Sequence, residues 1–145
     1  MEVYIKDIAE NDQYGLKWAT ECASKSLCLS RHVGAAIFGI YYPPVLGYNR
    51  APAALASCSA VGTCNDNERG QCTRCIHAEA WAIKFWDTRN RDATIYITCP
   101  PCHSCALEII HANIRRVVCY THPKADSEAI ARLLEAGVEF IEVMP

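Results

Sequence analysis

Four side chains in this sequence could together hold and use a metal ion. His77 and Glu79 stand two residues apart, and Cys102 and Cys105 stand three apart directly after Pro101. Thiolates at i and i+3 on the first turn of a helix share a face. Free N–H groups at a helix start stabilise their negative charge. With His77 as third ligand, a tetrahedral zinc would keep one position open, which is what separates a catalytic site from a closed structural one. Glu79 would then stand beside the metal without ligating it, placed to take and return protons. The chemistry this implies is metal-assisted hydrolysis. Either half alone means little; the weight lies in finding both halves, each at the start of a helix.

The elements that must position these residues follow from apolar spacing. Residues 14–29 read as a helix through Leu16, Ala19, Ala23 and Leu27. Residues 33–42 and 45–48 read as the two strands of a hairpin turned at Pro43-Pro44. Residues 76–88 form a helix, 93–98 a strand, and 102–112 a helix after Pro100-Pro101. Residues 116–120 form a strand, 126–135 a helix ended by Gly137, and 138–143 a last strand. The late alternation calls for right-handed crossovers and a sheet covered by helices. With no repeat or linker, residues 1–145 read as a single domain.

Residues 49–73 show little periodicity and are rich in Ala, Gly, Ser, Asn and Cys. A loop of that length in a compact domain needs a function or an anchor. The ten cysteines of the 145-residue chain bear on this. No secretory leader is evident, no stretch approaches a membrane span, and two pairs have Cys-x-x-Cys spacing, so metal is favoured over disulfides and a cytoplasmic protein is expected. The net charge of −2 gives no broad basic face, which disfavours extended nucleic acid as partner.

The H-x-E and P-C-x-x-C pair is the signature of zinc deaminases, and the chain resembles the deoxycytidylate (dCMP) deaminases of bacteria and phages, within the cytidine deaminase superfamily. The segments that carry the resemblance are 28–35 (CLSRHVGA), 47–52 (GYNRAP), Cys58 with 61–64 (VGTC), 72–83 (CTRCIHAEAWAI), 98–105 (TCPPCHSC) and 115–120 (RRVVCY). The zinc motifs are common to the superfamily; GYNxxP and the cysteine-rich loop narrow it to the dCMP branch.

This resemblance implies a three-layer α-β-α fold, an α/β architecture with a five-stranded mixed sheet. It implies hydrolysis of dCMP to dUMP and ammonia at a catalytic zinc on His77, Cys102 and Cys105, with Glu79 as proton carrier. Asn49 would bond the sugar hydroxyl, the Ala78 backbone would read the base edge, Arg31 is the candidate for the phosphate, and Tyr120 for packing on the pyrimidine. It also implies a second, structural zinc on Cys28, Cys58, Cys72 and Cys75, with Cys64 competing for one place. A homo-oligomer, commonly a hexamer, and a dCTP or dTTP effector belong to the same expectation. Arg50 stands where many relatives have glycine, and Pro100 also departs from the usual pattern. The competing expectations are a deaminase of another substrate (dCTP, 5-substituted dCMP, tRNA adenosine, guanine) and a zinc-stabilised binding module without activity.

Overall fold

A computed structural model describes residues 2–5, 10–40, 42–64, 67–68 and 72–145. Their elements run β1 (Glu2–Ile5), α1 (Glu10–Ala23), β2 (Gly34–Phe38), β3 (Val45–Tyr48), α2 (Cys58–Val61), α3 (Ala78–Phe85), β4 (Ala93–Ile97), α4 (His103–His111), β5 (Ile114–Tyr120), α5 (Ser127–Glu135) and β6 (Glu139–Val143). The sheet order is β1-β6-β5-β4-β2-β3. Strands β4, β5, β6 and β1 run parallel, while β2 pairs antiparallel with both β4 and β3.

Strand alternation divides the core. Ala35, Ile37, Ile95, Ile97, Val117 and Phe140 pack against Ala82 of α3, Ile109 of α4 and Leu133 of α5. Ala36, Tyr96, Val118 and Ile141 point to the other face, against Leu16 and Ala19 of α1. Helices therefore cover both faces of the sheet, which is the expected three-layer arrangement. Two glycines let helices approach from opposite sides. A Cβ at Gly34 would collide with the Ala19 carbonyl of α1, and one at Gly47 with the Ala78 carbonyl of α3. Gly137, at φ 80°, supplies the left-handed residue after α5, as its position implies.

The structure corrects several expectations. The five expected strands are present, and β1 adds a sixth at the edge, parallel to β6. Four residues are too few to show periodicity; Val3, Tyr4 and Ile5 favour a strand, and pairing with β6 completes it. The first helix spans Glu10–Ala23 instead of 14–29, because residues 24–29 turn back to lead into β2. The strand expected at 33–42 ends at Phe38; its residue 41, and residues 65–66 and 69–71 of the long loop, lie outside the described residues. That loop contains the one-turn helix α2, capped by the Ser57 hydroxyl accepting from the Ala60 N–H. No helix among the described residues is long and apolar enough to cross a membrane.

Candidate active site

Because β2 is antiparallel to β4, the start of β2, the end of β3 and the ends of β4 and β5 lie at one edge of the sheet. The segments leaving this edge carry the chemistry. They are Arg31 before β2, Asn49 after β3, Cys99 to Cys102 after β4, and His122 to Asp126 after β5. All of them line one cavity of about 750 Å³, together with His77, Ala78 and Glu79. A cavity of this size accommodates a nucleotide, and crevices at carboxyl ends of strands are the usual ligand sites of such sheets.

His77 is the N-cap of α3 and Cys102 the N-cap of α4, yet neither side chain caps its helix. Both turn instead to a common point with Cys105. His77 Nδ1 lies 3.4 Å from Cys105 Sγ and 3.5 Å from Cys102 Sγ. A tetrahedral zinc with Zn–N of about 2.0–2.1 Å and Zn–S of about 2.3 Å separates its N and S ligands by about 3.5 Å. Both N–S separations match those of a zinc site, and the three donors lie within 4.8 Å of one another. Hydrogen bonds from Cys105 and His77 outweigh burial and push the Cys102 thiol down to about 3, which favours a thiolate; Cys105 is pushed up by holding that hydrogen bond and by burial. The hydrogen bond to Cys102 raises His77 above the usual imidazole range.

Glu79, in the first turn of α3, is 3% exposed. Burial pushes its carboxyl above the ordinary range, towards the values suited to moving protons near neutral pH. Ala78 is fully buried and lines the cavity next to Glu79. Asn49 is 7% exposed, and its amide grips the neighbouring segment: Nδ2 donates to the Arg31 carbonyl and Oδ1 accepts from the Val33 N–H. One amide hydrogen and one lone pair are left over for a ligand. The Arg31 guanidinium lies at the cavity wall, with Nη2 donating to Cys99 Sγ at 3.5 Å.

Tyr120 does not belong to this cavity. Its side chain packs beside Val118 with Leu16, Ala36 and Tyr96 on the α1 face of the sheet. Residues alternate across a strand, so Tyr120 follows Val118 to that face. Among the lining residues that escape the sequence reading are four with polar side chains, Cys99, His122, Lys124 and Asp126. Burial pushes the Cys99 thiol up to about 11, so it stays protonated. His122 and Lys124 sit on a turn around Pro123, in which the Lys124 N–H donates to His122 Nδ1 and the Ala125 N–H to the His122 carbonyl. The signal that could have found them is position, since His-Pro-Lys follows directly on a parallel strand.

The second cysteine group is partly assembled. Cys58 Sγ lies 3.7 Å from Cys72 Sγ and 3.6 Å from Cys75 Sγ, near the roughly 3.8 Å expected between two thiolates on one zinc. Cys28 lies outside this trio; its Sγ and that of Cys64 each stand 3.5 Å from the Ser30 hydroxyl.

Residues 9–121 match the model of the cytidine and deoxycytidylate deaminase zinc-binding region. A deoxycytidylate deaminase of Mycobacterium phage D29 is 38% identical over 118 residues, covering 74% of this chain and 91% of that protein. That of Saccharomyces cerevisiae is 33% identical over 133 residues, covering 88% of this chain but only 43% of the yeast protein, so this chain spans less than half of that relative. The solved dCMP deaminase of cyanophage S-TIM5, in complex with dCMP and dUMP, shares the fold with a TM-score of 0.76 at 22% identity, covering 94% of this chain and 98% of that one. The matched region contains both halves of the His77, Cys102 and Cys105 donor set and the glutamate buried beside it, and the chain belongs to the cytidine and deoxycytidylate deaminase family.

Proposed function

We propose that this protein hydrolyses dCMP to dUMP and ammonia at a zinc ion held by His77, Cys102 and Cys105. The observation that carries the reading is the buried Glu79 at the edge of that donor set, inside a cavity whose rim holds the cations Arg31 and Lys124. A nucleotide fits this distribution: an uncharged base beside Ala78 and Glu79, and an anionic end at the rim.

Zinc bound there would supply a Lewis acid that lowers the pKa of water to about 7. Glu79 takes one proton of that water and gives it to the ring nitrogen, where the uracil keeps it. It then takes the second, from the hydroxyl added at the ring carbon, and gives it to the amine, which leaves as ammonia as the carbonyl forms. The Ala78 backbone, held by its contact with Gly47, orients the base. Asn49 offers its remaining amide hydrogen and lone pair to the sugar hydroxyl. Arg31, before β2, and Lys124, after β5, line the same cavity and would receive the phosphate. Each is an expected positioning contact and takes no part in proton transfer.

A second zinc belongs to the same reading. Cys58, Cys72 and Cys75 supply three thiolates, and Cys28 or Cys64 swings from Ser30 to complete the set. A closed four-thiolate site would tie the long loop to the segments before β2 and α3. The homo-oligomer and the control by dCTP or dTTP are also part of it; sizing the protein with and without each nucleotide tests both.

The central experiment offers the purified zinc-loaded protein dCMP, CMP, deoxycytidine, dCTP and an adenosine-containing tRNA arm, and measures ammonia. Release from dCMP well above the others supports the reading. Release from another substrate reassigns the activity, and bound zinc with no turnover of any substrate indicates a binding module.

A further inference from the structure

Arg50 follows Asn49 in the chain but lies outside the cavity that holds Asn49 and Glu79. Its surroundings are nevertheless specific. Its Cζ stands 4.5 Å from the ring centroid of Tyr48 and 4.2 Å from that of Trp81 in α3. Its carbonyl accepts from the Trp81 indole N–H at 3.2 Å. Its backbone exchanges two hydrogen bonds with Ile76, at 3.1 and 2.9 Å, forming an isolated bridge. No carboxylate of the described residues forms a salt bridge with it; the rings hold the cation.

Both neighbours of this bridge matter. Asn49 precedes Arg50 and controls the segment of Arg31 and Val33. His77 follows Ile76 and is a proposed zinc ligand. One residue thus joins the segment expected to grip the nucleotide's sugar and phosphate to the helix that carries the reacting end. A planar guanidinium can lie flat on two rings, which a lysine ammonium cannot.

Resting on the reading of the site as a nucleotide deaminase, we propose that Arg50 is a positioning residue: its clamp on Tyr48, Trp81 and Ile76 sets the spacing between Asn49 and the start of α3, and so fixes the grip on the sugar-phosphate end of the substrate. Glu79 and the metal ligands, anchored by α3 and α4 themselves, do not depend on it.

The test compares wild type with Arg50→Met, which keeps an apolar stem on the rings, Arg50→Lys, and Trp81→Phe, which keeps a ring but removes the indole donor. The expected result for Arg50→Met is a KM for dCMP raised about tenfold or more, with kcat changed less than threefold and zinc content unchanged. Arg50→Lys and Trp81→Phe fall between it and wild type. Amide exchange reads the same clamp without substrate: the Val33 N–H, held by Asn49, exchanges at least about tenfold faster in Arg50→Met, while the amides of β4 and β5 do not change. An unchanged KM, a KM and kcat altered in equal proportion, loss of zinc, or an unchanged Val33 exchange rate overturns the proposal. Failure of wild type to release ammonia from dCMP would instead defeat the substrate reading, and the exchange measurement would still decide the clamp.

Discussion

Asn49 holds Arg31 in place: its side-chain Nδ2 donates to the Arg31 carbonyl at 2.8 Å, while its Oδ1 accepts from the Val33 N–H at the same distance. The expected sugar contact and the expected phosphate contact are therefore one mechanical unit. Asn49→Ala should remove the partner of the half-buried Val33 N–H and of the carbonyl of exposed Arg31, at about 1 kcal/mol of stability. By displacing Arg31 as well, it should lower kcat/KM for dCMP on the order of 10²-fold. Arg31→Ala should spare deoxycytidine and weaken only dCMP. Steady-state kinetics with both substrates checks the pair; equal losses on both substrates for Arg31→Ala would remove it from the phosphate site.

Glu79→Gln should keep the metal and lose at least about 10²-fold in kcat, the scale of a general acid/base. Glutamine fills the same space in the first turn of α3 but cannot carry a proton between water and the amine. Zinc analysis alongside single-turnover rates makes the comparison. A variant with full zinc and near-normal turnover would place the proton transfer elsewhere.

Metal analysis of the wild-type protein should find two zinc ions per chain. Cys58→Ser should leave one, with a Tm lower by at least about 5 °C because a closed thiolate site contributes directly to folding. Of Cys28→Ser and Cys64→Ser, the one that loses the second ion identifies the fourth ligand. One zinc in the wild-type protein, or an unaltered Tm for Cys58→Ser, would leave these thiols as ordinary packing groups.

On the other face of the sheet, Asp12 accepts two hydrogen bonds from Arg116, at 3.2 and 3.0 Å, and one from the Tyr96 hydroxyl at 2.7 Å. Burial alone would raise the Asp12 carboxyl, but these bonds and the Arg116 charge outweigh it and hold the group below the usual carboxylate range. A group depressed in the folded state stabilises the fold fully above its unfolded pKa, about 3.9, and loses that contribution as pH falls through the lower folded value. The Tm advantage of wild type over Asp12→Asn should therefore be flat from neutral pH to about 5 and shrink below about 4. Arg116→Met, which strands the buried carboxylate, should cost about 3 kcal/mol at neutral pH. Thermal melts across pH measure both, and an advantage that grows on acidification would contradict the sign.

The proposed metal donors are legible from sequence because short-range order decides most of their placement. Cys102 and Cys105 stand three apart and share a face, whereas His77 and Glu79, two apart, converge only because His77 is the extended N-cap residue and not part of the helical turn. Strands such as β2 and β4 are equally readable, since a run of buried apolar residues marks them. The rim is different. His122 and Lys124 join the site because β5 pairs with β4 and delivers its end to the same edge; their local trace is only their position after a strand, and the pairing that gives it meaning is long-range. Tyr120 is the converse case: an aromatic at the right strand end, turned to the opposite face by simple alternation with Val118. Strand β1 carries strand propensity in Val3, Tyr4 and Ile5, but four residues are too few to mark an element, and only β6 supplies the pairing partner.

The two glycines of the β2–β3 hairpin bear on how this pocket can change. Gly34 lies bare against α1 and Gly47 bare against α3, on adjacent strands gripped from opposite faces. The hairpin that delivers Asn49 is held between two helices: Gly34 meets only backbone of α1, and Gly47 meets the Ala78 carbonyl with the Ala82 Cβ of α3 beside it. A side chain added at either glycine would push the hairpin off its helix and carry Asn49 with it. The shape of this pocket is therefore more readily altered at side chains that line it, such as Arg31, Pro100 and Lys124, than at the two glycines that seat the hairpin.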